Sequence, residues 1–344
     1  MIQSSVPRDT FRPDAEAMAG VRAVIESRLI DSLRYLVDEL EPTPADIAAA
    51  CQDSLARLAP PVLDPALHGL HADMRAAALR ADKPAFDAAR RVFSQWQFDA
   101  ATPRAENGAP AIRSLAESDY DPARRQILTA GFADDVGLTT QLVAPPADIL
   151  STQGQTIGRA CRLAAELAPE WSDEFSQLVS EIILATNAAA MTGRNFAGGS
   201  VFDLFGALLV NPTYRTDIAH YLMTIIHESS HLRLFCYHLD DEVVLNDDVA
   251  RYHSPLRRQP RPMEGIFHAM WVSARMAVFG HELAERAAGS ELMSPDEVAM
   301  LRDQVGSAVI AFRDGYGVVQ EHGDLTELGK RLAADARRAV DAIS

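Results

Sequence analysis

Between residues 14 and 40, the apolar positions Val21, Val24, Ile25, Leu29, Leu33, Leu36 and Val37 recur mostly at steps of three and four, the period of one buried helix face. This spacing predicts one amphipathic helix that stops before Pro42. Thr43-Pro44-Ala45-Asp46 then reads as a Thr N-cap with Pro in the first position, and Asp64-Pro65 and Asp82-Lys83-Pro84 resemble further starts. The first hundred residues read as wholly helical. Residues 101–110 carry Pro, Asn and Gly without an apolar period, the chemistry of a linker, and helices resume near Asp121. Residues 153–185 read as two helices broken at Pro169, followed by loop chemistry over 192–200. The apolar run 201–210 is too short for its period to separate strand from buried helix, and one or two short strands are expected. Residues 216–239 and 263–288 read as long helices with an extended loop, 254–262, between them.

Composition narrows the class. With 344 residues, 48% of them apolar and 23% charged, the chain is a folded protein of two domains or one large one. The 48 acidic residues outnumber 32 basic ones, and a net charge of −16 repels phosphate backbones and anionic leaflets, so neither nucleic acid nor membrane is expected as a partner. Cys51, Cys161 and Cys236 show no CxxC spacing and do not make a disulfide framework. There is no signal-peptide order at the start and no apolar run long enough to span a bilayer, so the expected location is cytoplasmic. The oligomeric state is left open.

The chemistry concentrates in one stretch: eight of the ten histidines lie between His220 and His322. At its centre, His227-Glu228-Ser229-Ser230-His231 is an HExxH sequence within a predicted helix, where residues four apart share a face and can grip one metal ion. Glu228 falls about 100° round the helix from His227, so it can face a bound ligand without coordinating. The next helix offers two candidates for a third ligand, Glu264 and His268, on one face at i and i+4. Glu264 would complete a His₂Glu zinc site of the metallopeptidase kind, with Glu228 as general base. His268 would give a neutral three-histidine site with several positions open.

Four segments, His227-Glu-Ser-Ser-His-Leu-Arg-Leu234, Tyr252-His-Ser-Pro255, Arg261-Pro-Met-Glu-Gly-Ile-Phe-His268 and His322-Gly-Asp-Leu-Thr-Glu-Leu-Gly329, occur in an order that resembles the HExxH-motif family of peptide-modification proteins. The resemblance covers about residues 201–332. It implies an Fe(II)- and 2-oxoglutarate-dependent dioxygenase that uses O₂ to hydroxylate a β-carbon in a ribosomally made precursor peptide. It gives the third-ligand role to His268, beside His227 and His231. The residues before 153 lie outside the resemblance and are expected to form a helical domain that docks the substrate peptide.

Such chemistry needs three protein ligands, since the keto acid takes two positions on iron and O₂ one. It also needs a cation for the distal carboxylate, best supplied by the planar fork of an Arg. Arg275 is two turns after His268, roughly 10 Å along the helix at a 1.5 Å rise per residue. Arg261, in the Arg-Pro turn, is the second candidate. In an oxygenase Glu228 would orient a ligand or hold substrate, while Tyr252 and His253 could touch the peptide. His220 and His238 extend the HExxH stripe by seven residues each way and are expected to pack or support the site. His281-Glu282-Leu-Ala-Glu285 ends in Glu, not His, and reads as a solvated face.

The expected fold class is mainly α and multi-helical, with a short β-sheet beside the HExxH helix. A cupin barrel needs many short alternating strands that this chain lacks. The expected division is a helical region over 1–100, a linker over 101–120 and a metal-binding catalytic domain over 121–344. A zinc metallopeptidase using Glu264 is the alternative reading.

Overall fold

The fold, given by a computed structural model, is described for residues 9–60, 64–98, 109–135, 142–188, 196–254 and 259–344. It is mainly α: the described residues form eleven α-helices and a small mixed sheet, with no closed barrel among them. Two compact units result, one from residues 1–18, 147–177 and 212–344, the other from 19–146 and 178–211. The chain passes between them at 18/19, 146/147, 177/178 and 211/212, so neither coincides with the sequential 1–100 and 121–344 division. Among the described residues no helix is long and apolar enough to cross a membrane.

The unit built on 19–146 and 178–211 carries most of α1 (Ala15–Arg34), then α2 (Ala48–Arg57), α3 (Pro65–Leu79), α4 (Lys83–Ser94) and α5 (Pro122–Asp135). A single π-helical turn over Tyr35–Glu39 ends the first helix before Pro42. The Asp64 and Asp82 starts form as expected, each carboxylate accepting from a first-turn N–H at 3.1 Å. The Thr43 start does not: its hydroxyl donates to the Val37 carbonyl at 2.6 Å, and α2 begins only after Ile47.

Strands β1 (Ala111–Ser114), β3 (Glu181–Leu184), β5 (Gly198–Gly199) and β6 (Ala207–Val210) form a sheet in the order β1-β3-β6-β5. Its first three are parallel, and β5 pairs with β6 antiparallel. A two-residue pair, β2 (Leu142–Val143) with β4 (Thr186–Asn187), stands apart. Two expectations change here. Residues 111–114 are a strand rather than linker, while 101–108 lie outside the described residues. The helix after Pro169 ends at Leu178, and the apolar Ile182-Ile183-Leu184 continues as a wholly buried strand, where two β-branched residues fit a pleated surface. The strand expected within 201–210 is β6, after a 3₁₀ turn over Phe202–Leu204. Of the 192–200 loop, residues 192–195 are outside the described set.

The other unit contains α6 (Ala147–Leu167), α7 (Pro169–Leu178), α8 (Ile218–Tyr237), α9 (Met263–Ala287), α10 (Pro295–His322) and α11 (Glu327–Asp341). Helix α8 is apolar on nearly every side and is buried on nearly every side, the pattern of a central helix. Helices α9 and α10 run antiparallel at close range: a Cβ on Gly280 would meet Val305 at 2.7 Å, and one on Gly315 would meet Met270 at 3.2 Å. A capping box opens α10, with Ser294 and Glu297 each accepting from the other's backbone N–H. The segment 9–14 is tied down by polar contacts. The Thr10 carbonyl accepts from Arg233 and Tyr237, the Phe11 carbonyl accepts from Arg275 at 2.6 Å, and the Thr10 N–H and hydroxyl both donate to Asp335.

Candidate metal centre

Only three positions on α8 escape full burial, His227, His231 and Phe235, and the helix is capped by half-buried His238. Their spacing of four, four and three residues makes one stripe on one helix face. Glu264, Gly265, His268 and Met276 are incompletely buried on α9, and the two stripes meet. His227 Nδ1 is 3.3 Å from Met276 Sδ, His231 Nδ1 is 3.2 Å from His268 Nδ1, and the His238 and His268 rings are 5.5 Å apart. The contacts descend α9 as they ascend α8, so the helices run antiparallel along a half-open histidine seam.

Two ligand groups lie along this seam. Donor atoms of His227, Glu228 and His231 lie within 4.8 Å of one another, and so do those of His238, Glu264 and His268. The His231–His268 contact joins them. With metal–nitrogen bonds of about 2.1 Å, neighbouring donors stand about 3.0 Å apart in an octahedron and about 3.4 Å in a tetrahedron, so 3.2 Å suits two ligands of one ion. Burial holds His231 well below the usual imidazole range, with His227, His268 and Arg261 adding to the effect. It pulls His268 down to about 3, helped by His238 and Arg261. Neutral rings keep the lone pairs that coordination requires. The donor set fits a borderline divalent cation such as zinc or iron, and two buried atoms, His238 Nε2 and His268 Nε2, have no hydrogen-bond partner.

The candidate cations separate. Arg275 is 1% exposed, and its guanidinium is engaged by Glu174, the Phe11 carbonyl and Ser230 Oγ, with Trp171 against its face. Helical spacing from His268 suggested a co-substrate ligand, but these partners make Arg275 part of a buried ion-pair cluster. Arg261 stays with the site, since its charge reaches both His231 and His268. Its side chain lies over Gly265 on the first turn of α9, at 3.4 Å from where a Cβ would stand. Its backbone is fixed by a bridge to Tyr252, with N–H···O distances of 2.9 and 3.0 Å in the two directions.

Tyr252 stacks on His322 at 5.5 Å and its hydroxyl accepts from Asn246, which also accepts from the Asp324 N–H. His253 is exposed, and Pro255 lies outside the described residues. In the last segment a Cβ on Gly329 would meet the Val243 carbonyl oxygen at 2.3 Å, so only glycine lets α11 approach that turn. The four sequence segments thus converge on neighbouring parts of one unit. Elsewhere, His220 is near Thr224, Tyr214 and Tyr221 and in neither ligand group. Tyr221 and Trp271 are core. Glu282 accepts from Trp171 and pairs with Arg12, while exposed Glu285 pairs with Arg302, so of the face expected to be solvated over 281–285 only Glu285 is exposed, with His281 and Glu282 half-buried. His238, expected to pack or support the site, stands in the second ligand group, and its seven-residue step from His231 was the signal in the sequence. Compared with known proteins, the chain matches no protein-family model and no curated protein sequence.

Proposed function

We propose that this protein is an Fe(II)- and 2-oxoglutarate-dependent oxygenase that hydroxylates a β-carbon in a ribosomally made precursor peptide, with His227, His231 and His268 as metal ligands. The observation that supports it most is the 3.2 Å approach of His231 Nδ1 to His268 Nδ1, which sets an imidazole of α9 against the second histidine of HExxH, while the donor atoms of His227 fall in the group with His231 and not in that of His268. Glu264, the ligand of the competing reading, is 53% exposed and lies 3.9 Å from His268 Nε2. The resemblance of the four segments to the HExxH-motif peptide-modification family supplies the reaction class. Iron, when bound, would supply the site for oxidative decarboxylation of the keto acid and for oxygen transfer to the peptide. Neutral imidazoles leave the cation's charge available to an anionic co-substrate. Arg261 would hold a carboxylate of that co-substrate, and buried Glu228 would orient a ligand or a substrate group. Tyr252 and His253 would meet the peptide on the loop that carries Arg261.

The test is to add Fe(II) and then 2-oxoglutarate to the anaerobic apoprotein and record the visible iron-to-keto-acid charge-transfer band. We expect a band that survives Glu264→Ala and disappears in His268→Ala. No band, together with tight zinc retention that depends on Glu264, overturns the reading. The second reading, a zinc peptidase, is favoured by one observation: a Glu228 carboxylate oxygen lies within 4.8 Å of the donor atoms of both His227 and His231, where a general base for hydrolysis is needed. Chelator-sensitive peptide cleavage without O₂ would select it.

A further inference from the structure

Of the second ligand group, only His268 enters that reaction scheme; His238 and Glu264 have no part in it. We infer that His238, Glu264 and His268 form a second divalent-cation site, which shares His268 with the first, one ring nitrogen facing each. The inference rests on the proposed metal centre only through that shared ring. Two imidazoles and one carboxylate are a familiar donor set for first-row divalent metals, and here their donor atoms already lie within 4.8 Å of one another. The two nitrogens of His268 face different neighbours: Nδ1 is 3.2 Å from His231 Nδ1, whereas Nε2 is 3.9 Å from Glu264 Oε1.

Buried polar atoms in folded proteins are nearly always hydrogen-bonded, yet His268 Nε2 and His238 Nε2 are both buried without a hydrogen-bond partner in the same group. A cation bound by both nitrogens would satisfy them together. His238 also caps the C-terminus of the twenty-residue helix α8, where the aligned carbonyls favour positive charge. When both sites fill, the His268 ring gives up its one N–H proton to solvent and donates a lone pair from each nitrogen. No electron is transferred, and the result is an imidazolate bridge between two cations.

The experiment is an anaerobic titration of the apoprotein with Co(II), followed by visible absorption and by metal analysis after gel filtration. We expect two equivalents per chain in the wild type and one in both Glu264→Gln and His238→Gln. The exposed side chain of Glu264 makes its variant safe for folding, and circular dichroism melts check both. One equivalent in the wild type, or two retained in either variant, overturns the second site. Keto-acid binding is scored separately on iron-loaded protein. Two equivalents without the charge-transfer band would overturn the oxygenase reading and leave the second site standing, and a band with one equivalent would do the reverse.

Discussion

Glu174 lies between the guanidiniums of Arg233 and Arg275, and all three side chains are almost fully buried. One carboxylate therefore answers two charges, and removing it leaves both uncompensated. Glu174→Gln is expected to lower unfolding free energy by about 3–5 kcal/mol in urea titrations. Arg275→Ala is expected to lose stability while any keto-acid affinity persists. On the proposed function, Arg261→Ala is expected to weaken 2-oxoglutarate binding at least about tenfold, or about 1.4 kcal/mol, as read from the charge-transfer titration. The contrast between these two arginines marks how far the sequence could be read. Spacing along α9 correctly says that position 275 shares a broad face with 268. It says nothing of Glu174, 101 residues away, or of the Phe11 carbonyl, 264 residues away, and those neighbours decide what the guanidinium does.

Helix α8 was legible as a helix, but its exposed stripe was not, because a segment apolar on every side carries no moment that tells which residues open outward. His227 and His231 were found through the HExxH spacing rather than through periodicity. Strand β3 was hidden for a related reason: a short apolar run following a helix has no period that distinguishes strand from helix. Close packing of α9 on α10 was invisible as well, although Gly280 and Gly315 are what permit it. Gly280→Ala puts a methyl 2.7 Å from Val305 Cγ2 and is expected to cost about 1–3 kcal/mol, measured as a lowered urea midpoint. Ser294→Ala removes half of the capping box of α10 and is expected to cost about 1 kcal/mol.

Across the whole molecule, acid should act through histidines as well as carboxylates. Burial pulls His68 from the ordinary 6.5 to about 3 and His71 to about 4. Below pH 6.5 the unfolded chain takes up protons that the folded chain refuses, so stability is intact above that pH and falls as pH drops toward the folded values. Each such histidine contributes a slope of about 1.4 kcal/mol per pH unit within its window. Urea midpoints of metal-free protein at pH 7 and pH 5 should differ accordingly, and His68→Asn should flatten the dependence. The mainly α class was readable from helix periods and caps, whereas the alternation between two units was not, since composition along the chain does not report which distant segments pack together. That alternation also has a temporal side. The bonds from Thr10 to Asp335 join residues 325 positions apart. At about 5–20 residues per second, a ribosome needs roughly 16 to 65 seconds to produce the second after the first. For that interval the segment 9–14 has no anchor on α11, and before it ends all residues of the other unit, which ends at Asn211, have been made. The histidine seam therefore belongs to the unit that is completed last.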